Sequence, residues 1–396
     1  MKLGIAGPIQ IGAYTKYLDN LSLSGFPTPS GLGGTPVVQL TLALLERGYS
    51  LVIFTLDHLV KDEMVLEGPN LKICIGPYRL KRKARDFFRV ERAYLKEAIR
   101  REKPDLVHAH WTYEFALGAL ASGIPTIVTA HDAPLRVLRF MCSPYFFMRT
   151  LMSLSVAQRA QYLTAVSPYV AEHFRRQLGY RRPIRVIPNG IGNDLFEMGK
   201  KRAVERVGVL TFATVLNGWG RLKNGQVALE AFKKVHMAIP QTRLLMFGIG
   251  HGEGEQASIW ARQRGLDNGV EFIGELPHGE LLRRLICEVD ILVHPSLEEA
   301  CPMAIAEAMA MGLPVIGGSY SAGVPFILEN GKAGMLTDVR SPESVAQAMF
   351  CLVYDTGLCS TLGRLARESA KQRFHIEKVV GAYMAAYNEV LAGLKG

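Results

Sequence analysis

Short runs of β-branched and aliphatic residues alternate along this chain with stretches of helical length, and the alternation occurs twice. The first set places strands at 2–6, 51–55, 71–75, 105–109, 125–129, 162–166 and 184–187, with helices over 36–47 and 84–101. The second places strands at 209–214, 243–247, 270–273, 290–293 and 314–316, with helices over 225–237, 254–264, 279–286 and 303–311. Strands spaced by such helices join as β-α-β units, which build parallel sheets covered by helices on both faces. Two sets in one chain predict an α/β protein of two doubly wound domains facing each other. The turn Pro188-Asn189-Gly190 divides them into 1–190 and 191–375. A closing segment over 376–396, apolar at Val379, Val380, Tyr383, Met384, Tyr387, Val390 and Leu391, reads as an amphipathic helix joined to the first domain.

Composition narrows the class. Of 396 residues, 48% are hydrophobic and 21% charged, which excludes a disordered, fibrous or coiled-coil chain. No uncharged apolar window reaches the ~18 residues of a membrane span. The opening Met1-Lys2-Leu3-Gly4-Ile5-Ala6 reads as a first strand rather than a signal peptide, so a soluble, cytoplasmic protein is expected. Six scattered cysteines without a C-x-x-C pair fit buried thiols, not a disulfide framework or a zinc site. The net charge of +10 is uneven: residues 1–190 carry 25 Lys and Arg against 14 Asp and Glu, while 191–396 carry 21 against 22. The surplus therefore belongs to a partner of the first half alone.

In doubly wound folds the ligand lies beyond the carboxyl ends of the strands, so the polar residues that follow strands are the candidates. After strand 290–293 come Glu299, Ala300, Cys301, Pro302, Met303 and Glu307. The two carboxylates can grip a polyol; alternatively they are a solvated group and a helix-start charge favoured by the dipole. After strand 209–214 come Asn217, Gly218, Gly220, Arg221, Lys223 and Gly225, then a helix. Glycines, cations and a helix start make a cradle for a diphosphate, or a flexible turn with exposed cations. Gly248-x-Gly250 after strand 243–247 is a further phosphate-side turn or a plain chain reversal. In the first half, Gly33 and Gly34 precede Pro36 and a helix, where backbone can approach an anion. His110 and His131 end strands 105–109 and 125–129. Ser167 follows strand 162–166, where it can cap the next helix.

The string from Pro295 to Pro314, with Glu299, Glu307, Ala308, Met309, Ala310 and Gly312 in step, resembles the signature of the retaining glycosyltransferases of family 4. It departs at Ala300, Cys301 and Pro302, where that family has Gly-Phe-Gly. The resemblance implies a GT-B fold: two Rossmann-like domains with a nucleotide-sugar donor on the C-terminal one. It implies that Glu299 meets the donor sugar and Glu307 the nucleotide ribose. Lys223 then binds the donor diphosphate, with Asn217 at the family's arginine position and Arg221 able to supply the missing charge. It also sets Gly33 and Gly34 over the phosphates, Gly248 and Gly250 beside the nucleotide, and His131 against the sugar, and it sets Ser167 near the acceptor; His110 either orders the same wall, on the acceptor side, or packs in the core. His131, Glu299 and Lys223 are the catalytic candidates.

The implied reaction moves a hexose-type sugar from a nucleotide sugar to a glycan or lipid-linked acceptor with retention, in cell-envelope polysaccharide or glycolipid synthesis. The chain has no Asp-x-Asp, so a metal–diphosphate site is not suggested and no cofactor is expected. Segment 79–103 carries eleven cations and four anions. Arg85, Arg89, Arg92, Lys96, Arg100 and Lys103 recur at helical spacing, while Phe87, Phe88, Tyr94, Leu95, Ala98 and Ile99 fall off that line toward the core. Such a face suits adsorption to anionic phospholipid on the inner side of a membrane, or is a solvated surface; no nucleic-acid motif accompanies it. Two other readings stay open: another GT-B enzyme, such as a nucleotide-sugar epimerase or sugar-phosphate synthase, and a non-catalytic glycan- or membrane-binding protein.

Overall fold

The computed structural model describes residues 1–19, 29–200 and 208–393. The chain forms two compact units: Met1–Gly190 with Ile376–Gly396, and Ile191–His375. Residues 394–396 of the expected closing segment, and 20–28 of the expected loop after the first strand, lie outside the described residues.

The first unit holds strands β1 (Lys2–Ala6), β2 (Ser50–Asp57), β3 (Met64–Gly68), β4 (Leu71–Pro77), β5 (Leu106–His110), β6 (Thr126–Ala130), β7 (Tyr162–Ala165) and β8 (Ile184–Val186). They form one sheet in the order β3-β4-β2-β1-β5-β6-β7-β8. All neighbours are parallel except β3, which pairs antiparallel with β4 at the edge. A parallel sheet covered on both faces needs continuous apolar strands, and Leu51 to Asp57 are all buried. The strand order reverses between β1 and β5, which opens a crevice at their carboxyl ends. Helix Ile376–Ala392 packs on this unit through Ile376, Val379, Val380, Tyr383, Tyr387 and Val390. Each fully buried large apolar side chain contributes about 1.5–3 kcal/mol, so burial holds this helix in place.

The second unit holds β9 (Leu210–Val215), β10 (Thr242–Phe247), β11 (Val270–Gly274), β12 (Ile291–His294), β13 (Val315–Gly318) and β14 (Met335–Thr337). Their order is β11-β10-β9-β12-β13-β14, all parallel. Here the reversal falls between β9 and β12, so the loops that follow those two strands face one crevice.

The structure corrects several sequence expectations. The helix expected over 84–101 is a 3-10 turn, Lys83–Asp86, followed by an α-helix, Arg89–Glu102. Phe87 and Phe88 break it with φ of 55° and 57°. Arg85 is therefore off the helix that carries Arg89, Arg92 and Lys96, and Lys103 is its left-handed C-cap. Phe87 is exposed and Tyr94 half-buried, while Phe88, Leu95, Ala98 and Ile99 reach the core as expected. Strands β3 and β14 were not anticipated, nor were helices Glu114–Ser122, Pro134–Met141, Pro144–Arg159, Pro168–Arg176, Pro342–Tyr354 and Thr356–Arg373. None of the six cysteines forms a disulfide, but only Cys74, Cys301 and Cys359 are buried; Cys142, Cys287 and Cys351 are exposed. Among the described residues no single helix is long and apolar enough to cross a bilayer.

Candidate active site

In the second unit the loops after β9, β10, β12 and β13 are bonded to one another. The Leu216 amide donates to Phe247 O and that of Gly218 to Ile249 O, both beside the strand reversal. The Leu297 amide donates to Leu222 O, and Asn224 Nδ2 donates to Pro295 O at 3.1 Å and Val339 O at 2.7 Å. The Gly323 amide donates to Glu299 O at 2.7 Å. Gly248 turns with φ 109°, and a Cβ there would lie 2.0 Å from Leu216 O. Only glycine fits that turn.

This framework brings Lys223 and Glu299 together. Lys223 Nζ donates to Glu299 Oε1 at 2.6 Å, and His294 Nε2, at the end of β12, lies 3.4 Å from the same oxygen. Burial alone would raise the Glu299 carboxyl, but Lys223 and His294 override it and hold the pKa at about 2. Helices Gly225–Ala238 and Met303–Ala310 begin at the same end of the sheet, with Asn224 and Pro302 as N-caps that make no side-chain capping bond. Their first amides are therefore open to an anion. Ala300 and Cys301 sit in the loop between Glu299 and that second helix, Cys301 buried; Met303 is the helix's first residue. Asn217 and Arg221 are exposed on the β9 loop. Glu307 is buried and accepts a hydrogen bond from His278 Nε2 at 2.9 Å, which raises the His278 pKa. Trp219 lies edge-on to His251 at 5.5 Å between ring centroids, over Gly225 and Gly250.

In the first unit the candidates gather at the β1/β5 reversal. Gly33 and Gly34 both have φ of 83°, and a Cβ on Gly34 would lie 2.1 Å from Pro8 O. Gly34, Pro8, Leu32, Tyr78, Trp111, Glu114, Phe115 and Arg149 line a cavity of about 280 Å³. His131 stacks on Trp111 with ring centroids 4.2 Å apart, and its Nε2 is 3.0 Å from His110 Nδ1. One nitrogen donates and the other accepts, so the accepting ring is neutral. Burial pushes the His131 pKa down to about 3 and that of His110 well below its ordinary value. Behind them, His108 bonds Tyr387 OH at 2.7 Å and Thr129 Oγ1 at 2.6 Å, which ties this wall to the closing helix.

Three candidates fall elsewhere. Ser167 is buried and caps helix Pro168–Arg176 by accepting from the Val170 amide at 3.4 Å, the N-cap role that is its alternative to the acceptor side. Arg92 and Lys96 are half-buried along their helix rather than free at the surface; Lys96 pairs with Glu97 at 3.0 Å, and burial lowers the Arg92 pKa. Sequence reading missed His294, His278, Trp219, Glu114 and Arg149. Of these only His294 carried a signal, its place at the end of a strand.

A chain of two doubly wound parallel-sheet units, each with its own strand reversal, defines the class: this is a GT-B protein. Residues 33–194 match the family model described as Glycosyltransferase Family 4, and residues 208–355 the model described as Glycosyl transferases group 1. The chain belongs to this glycosyltransferase family and is a transferase enzyme. It is 25% identical over 307 residues to N-acetyl-alpha-D-glucosaminyl L-malate synthase of Bacillus anthracis, covering 74% of this chain and 77% of that protein. It is 27% identical over 295 residues to the lipopolysaccharide core biosynthesis glycosyltransferase LpsE of Rhizobium meliloti (strain 1021), covering 73% and 77%. Two solved structures share the fold. Sucrose-phosphate synthase from Thermosynechococcus elongatus has a TM-score of 0.78 at 19% identity, covering 99% of this chain and 100% of that one. Anabaena Alr3699/HepE in complex with UDP-glucose has a TM-score of 0.67 at 19% identity, covering 98% and 100%.

Proposed function

We propose that this enzyme transfers a hexose-type sugar from a nucleoside-diphosphate sugar to a glycan or lipid-linked acceptor, with retention and without a metal. The setting is cell-envelope polysaccharide or glycolipid synthesis on the cytoplasmic side of the membrane. The Lys223–Glu299 pair at the β9/β12 reversal carries the reading: a cation and a carboxylate stand 2.6 Å apart beside two open helix starts. A donor diphosphate takes the place of Glu299 on Lys223 and on the amides at the starts of helices Gly225–Ala238 and Met303–Ala310. Glu299, released from Lys223 and ionised, accepts hydroxyls of the sugar, while Glu307 takes the ribose. The bond from the anomeric carbon to the β-phosphate oxygen breaks, and the acceptor oxygen bonds to the same face of that carbon. The acceptor proton passes to the departing phosphate. Lys223 and the helix amides stabilise the charge that grows there. The named relatives point the same way: one is described as a lipopolysaccharide core glycosyltransferase, and one structural neighbour was solved with UDP-glucose.

The test is a melting-temperature screen of the full chain with UDP-, GDP- and ADP-sugars, followed by release of the nucleoside diphosphate from the best donor with and without EDTA. Stabilisation by one donor class, turnover that survives EDTA, and its loss in Glu299→Gln support the reading. Binding without turnover against membrane- and polysaccharide-derived acceptors, or turnover abolished by EDTA, overturns it.

A further inference from the structure

The broken basic helix leaves an unusual surface on the first unit. Helix Pro134–Met141 is mostly apolar, yet Pro134 is its only buried residue. Leu135, Val137, Leu138 and Phe140 are half-buried, and Met141 is 46% exposed. The next helix adds Phe147, at 53%. Residues 79–90 add Leu80, at 69%, and the exposed Phe87 and Val90. The two segments adjoin, since Phe88 and Tyr145 lie 6.2 Å apart between ring centroids. Phe87 and Phe88 both take left-handed backbone, which is strained for bulky residues and is kept where the surroundings require it. The consequence here is that Phe88 is fully buried while Phe87 stays outside.

We propose that this face docks onto anionic phospholipid, with Leu80, Phe87, Met141 and Phe147 entering the headgroup boundary and the cations around them meeting lipid phosphates. Charge complementarity selects this occupant. Lys81, Arg82, Arg85, Arg89 and Arg139 are exposed on the same two adjoining segments. The nearest acidic side chains are already paired: half-buried Asp86 and buried Glu91 both clamp Arg79, at 2.8 Å and 2.7 Å. Apolar anchors framed by exposed cations are the pattern of an interfacial protein, in which neither term alone is sufficient. The surface differs from the one the sequence suggested, because Arg92 and Lys96 lie outside it. It rests on the transferase reading only for its purpose, which is to hold the enzyme on the bilayer that carries a lipid-linked acceptor.

The experiment is flotation of the full chain with vesicles of phosphatidylcholine containing about one quarter phosphatidylglycerol, against phosphatidylcholine alone. Wild type should float with the anionic vesicles and be displaced by salt. Phe87→Ser/Phe147→Ser and Arg85→Glu/Arg89→Glu should each weaken partition at least about tenfold. Arg92→Glu should leave it within about twofold. Nucleoside diphosphate release from free donor, measured in the same variants, should stay at the wild-type rate and shows that they fold. Equal flotation of wild type and both double variants overturns the proposal. So does a stable dimer in solution that Phe87→Ser/Phe147→Ser dissociates while vesicles fail to bind, since a second copy then covers the face. Vesicle binding by a chain that turns over no donor leaves the surface standing and removes the transferase reading instead.

Discussion

Lys223 Nζ donates to Glu299 Oε1 at 2.6 Å, across 76 positions of sequence. Without donor, the residue expected to bind diphosphate and the residue expected to bind sugar neutralise each other. That arrangement keeps both charges low in free energy in a half-buried crevice, and a diphosphate sugar can replace each partner with one of its own.

Removing either partner should therefore affect both stability and catalysis. Lys223→Ala leaves the largely enclosed Glu299 without its strongest counter-charge, which costs on the order of 1–3 kcal/mol, visible as a lower melting temperature. Glu299→Gln should retain the fold and lower kcat by about 10²–10³-fold. The double variant Lys223→Ala/Glu299→Ala should be less destabilised than the two single changes added together. Strict additivity in a double-mutant cycle would show the pair to be uncoupled.

Acid should weaken the first unit well before it affects Glu299. His108 and His131 have folded pKa values lowered to about 3 by burial, so each stays neutral in the native state and is protonated on unfolding. Groups depressed in this way give stability that is present above the unfolded value of about 6.5 and is lost as pH falls through the folded value. The expected loss between pH 6.5 and pH 4 is on the order of a few kcal/mol, read by urea denaturation along a pH series. His131→Phe should flatten that dependence. Glu299, held at about 2, stays ionised over the whole range.

His278 should show the opposite sign. Its pKa is raised by the hydrogen bond to Glu307, so its contribution is complete below the unfolded value near 6.5 and fades as pH rises through the folded one. His278 is about one-third exposed, and water screening limits the effect to about 0.5 kcal/mol. An NMR titration of His278 should give a pKa that falls on Glu307→Gln. An unchanged value would show that the 2.9 Å contact carries no weight in solution.

Two adjacent glycines give a backbone test. Gly33 and Gly34 share φ of 83°, but a Cβ on Gly34 meets Pro8 O at 2.1 Å, whereas one on Gly33 meets nothing within 4 Å. Gly33→Ala should cost about 1 kcal/mol from the left-handed backbone alone. Gly34→Ala should cost about 2–3 kcal/mol or more, because the carbonyl must also move. Calorimetry separates the two, and equal losses would mean the loop yields freely.

Much of this was legible locally. Glycine turns after strands, such as Gly34 and Gly248, announce themselves because only glycine tolerates their backbone next to a carbonyl. The family string marked Glu299 and Glu307 because each lies within one loop and one helix. The basic segment misled because Arg85, Arg89 and Arg92 keep helical spacing even though Phe87 and Phe88 interrupt the helix. Spacing records which residues could share a face, not whether the backbone is continuous.

The sequence by itself determined the two sets of alternating strands and helices, since periodicity and turn chemistry act over a few residues and are written in order, and the resemblance of the string from Pro295 to Pro314 to a known family pointed to the GT-B fold and the transferase class. Tertiary structure alone decided which partners those residues meet. Lys223 found Glu299 because β9 and β12 are neighbours at the strand reversal, Glu307 turned to His278, and His108 was joined to Tyr387 across 279 positions. Such contacts depend on sheet order and on the burial of distant elements against one another, which no local pattern encodes.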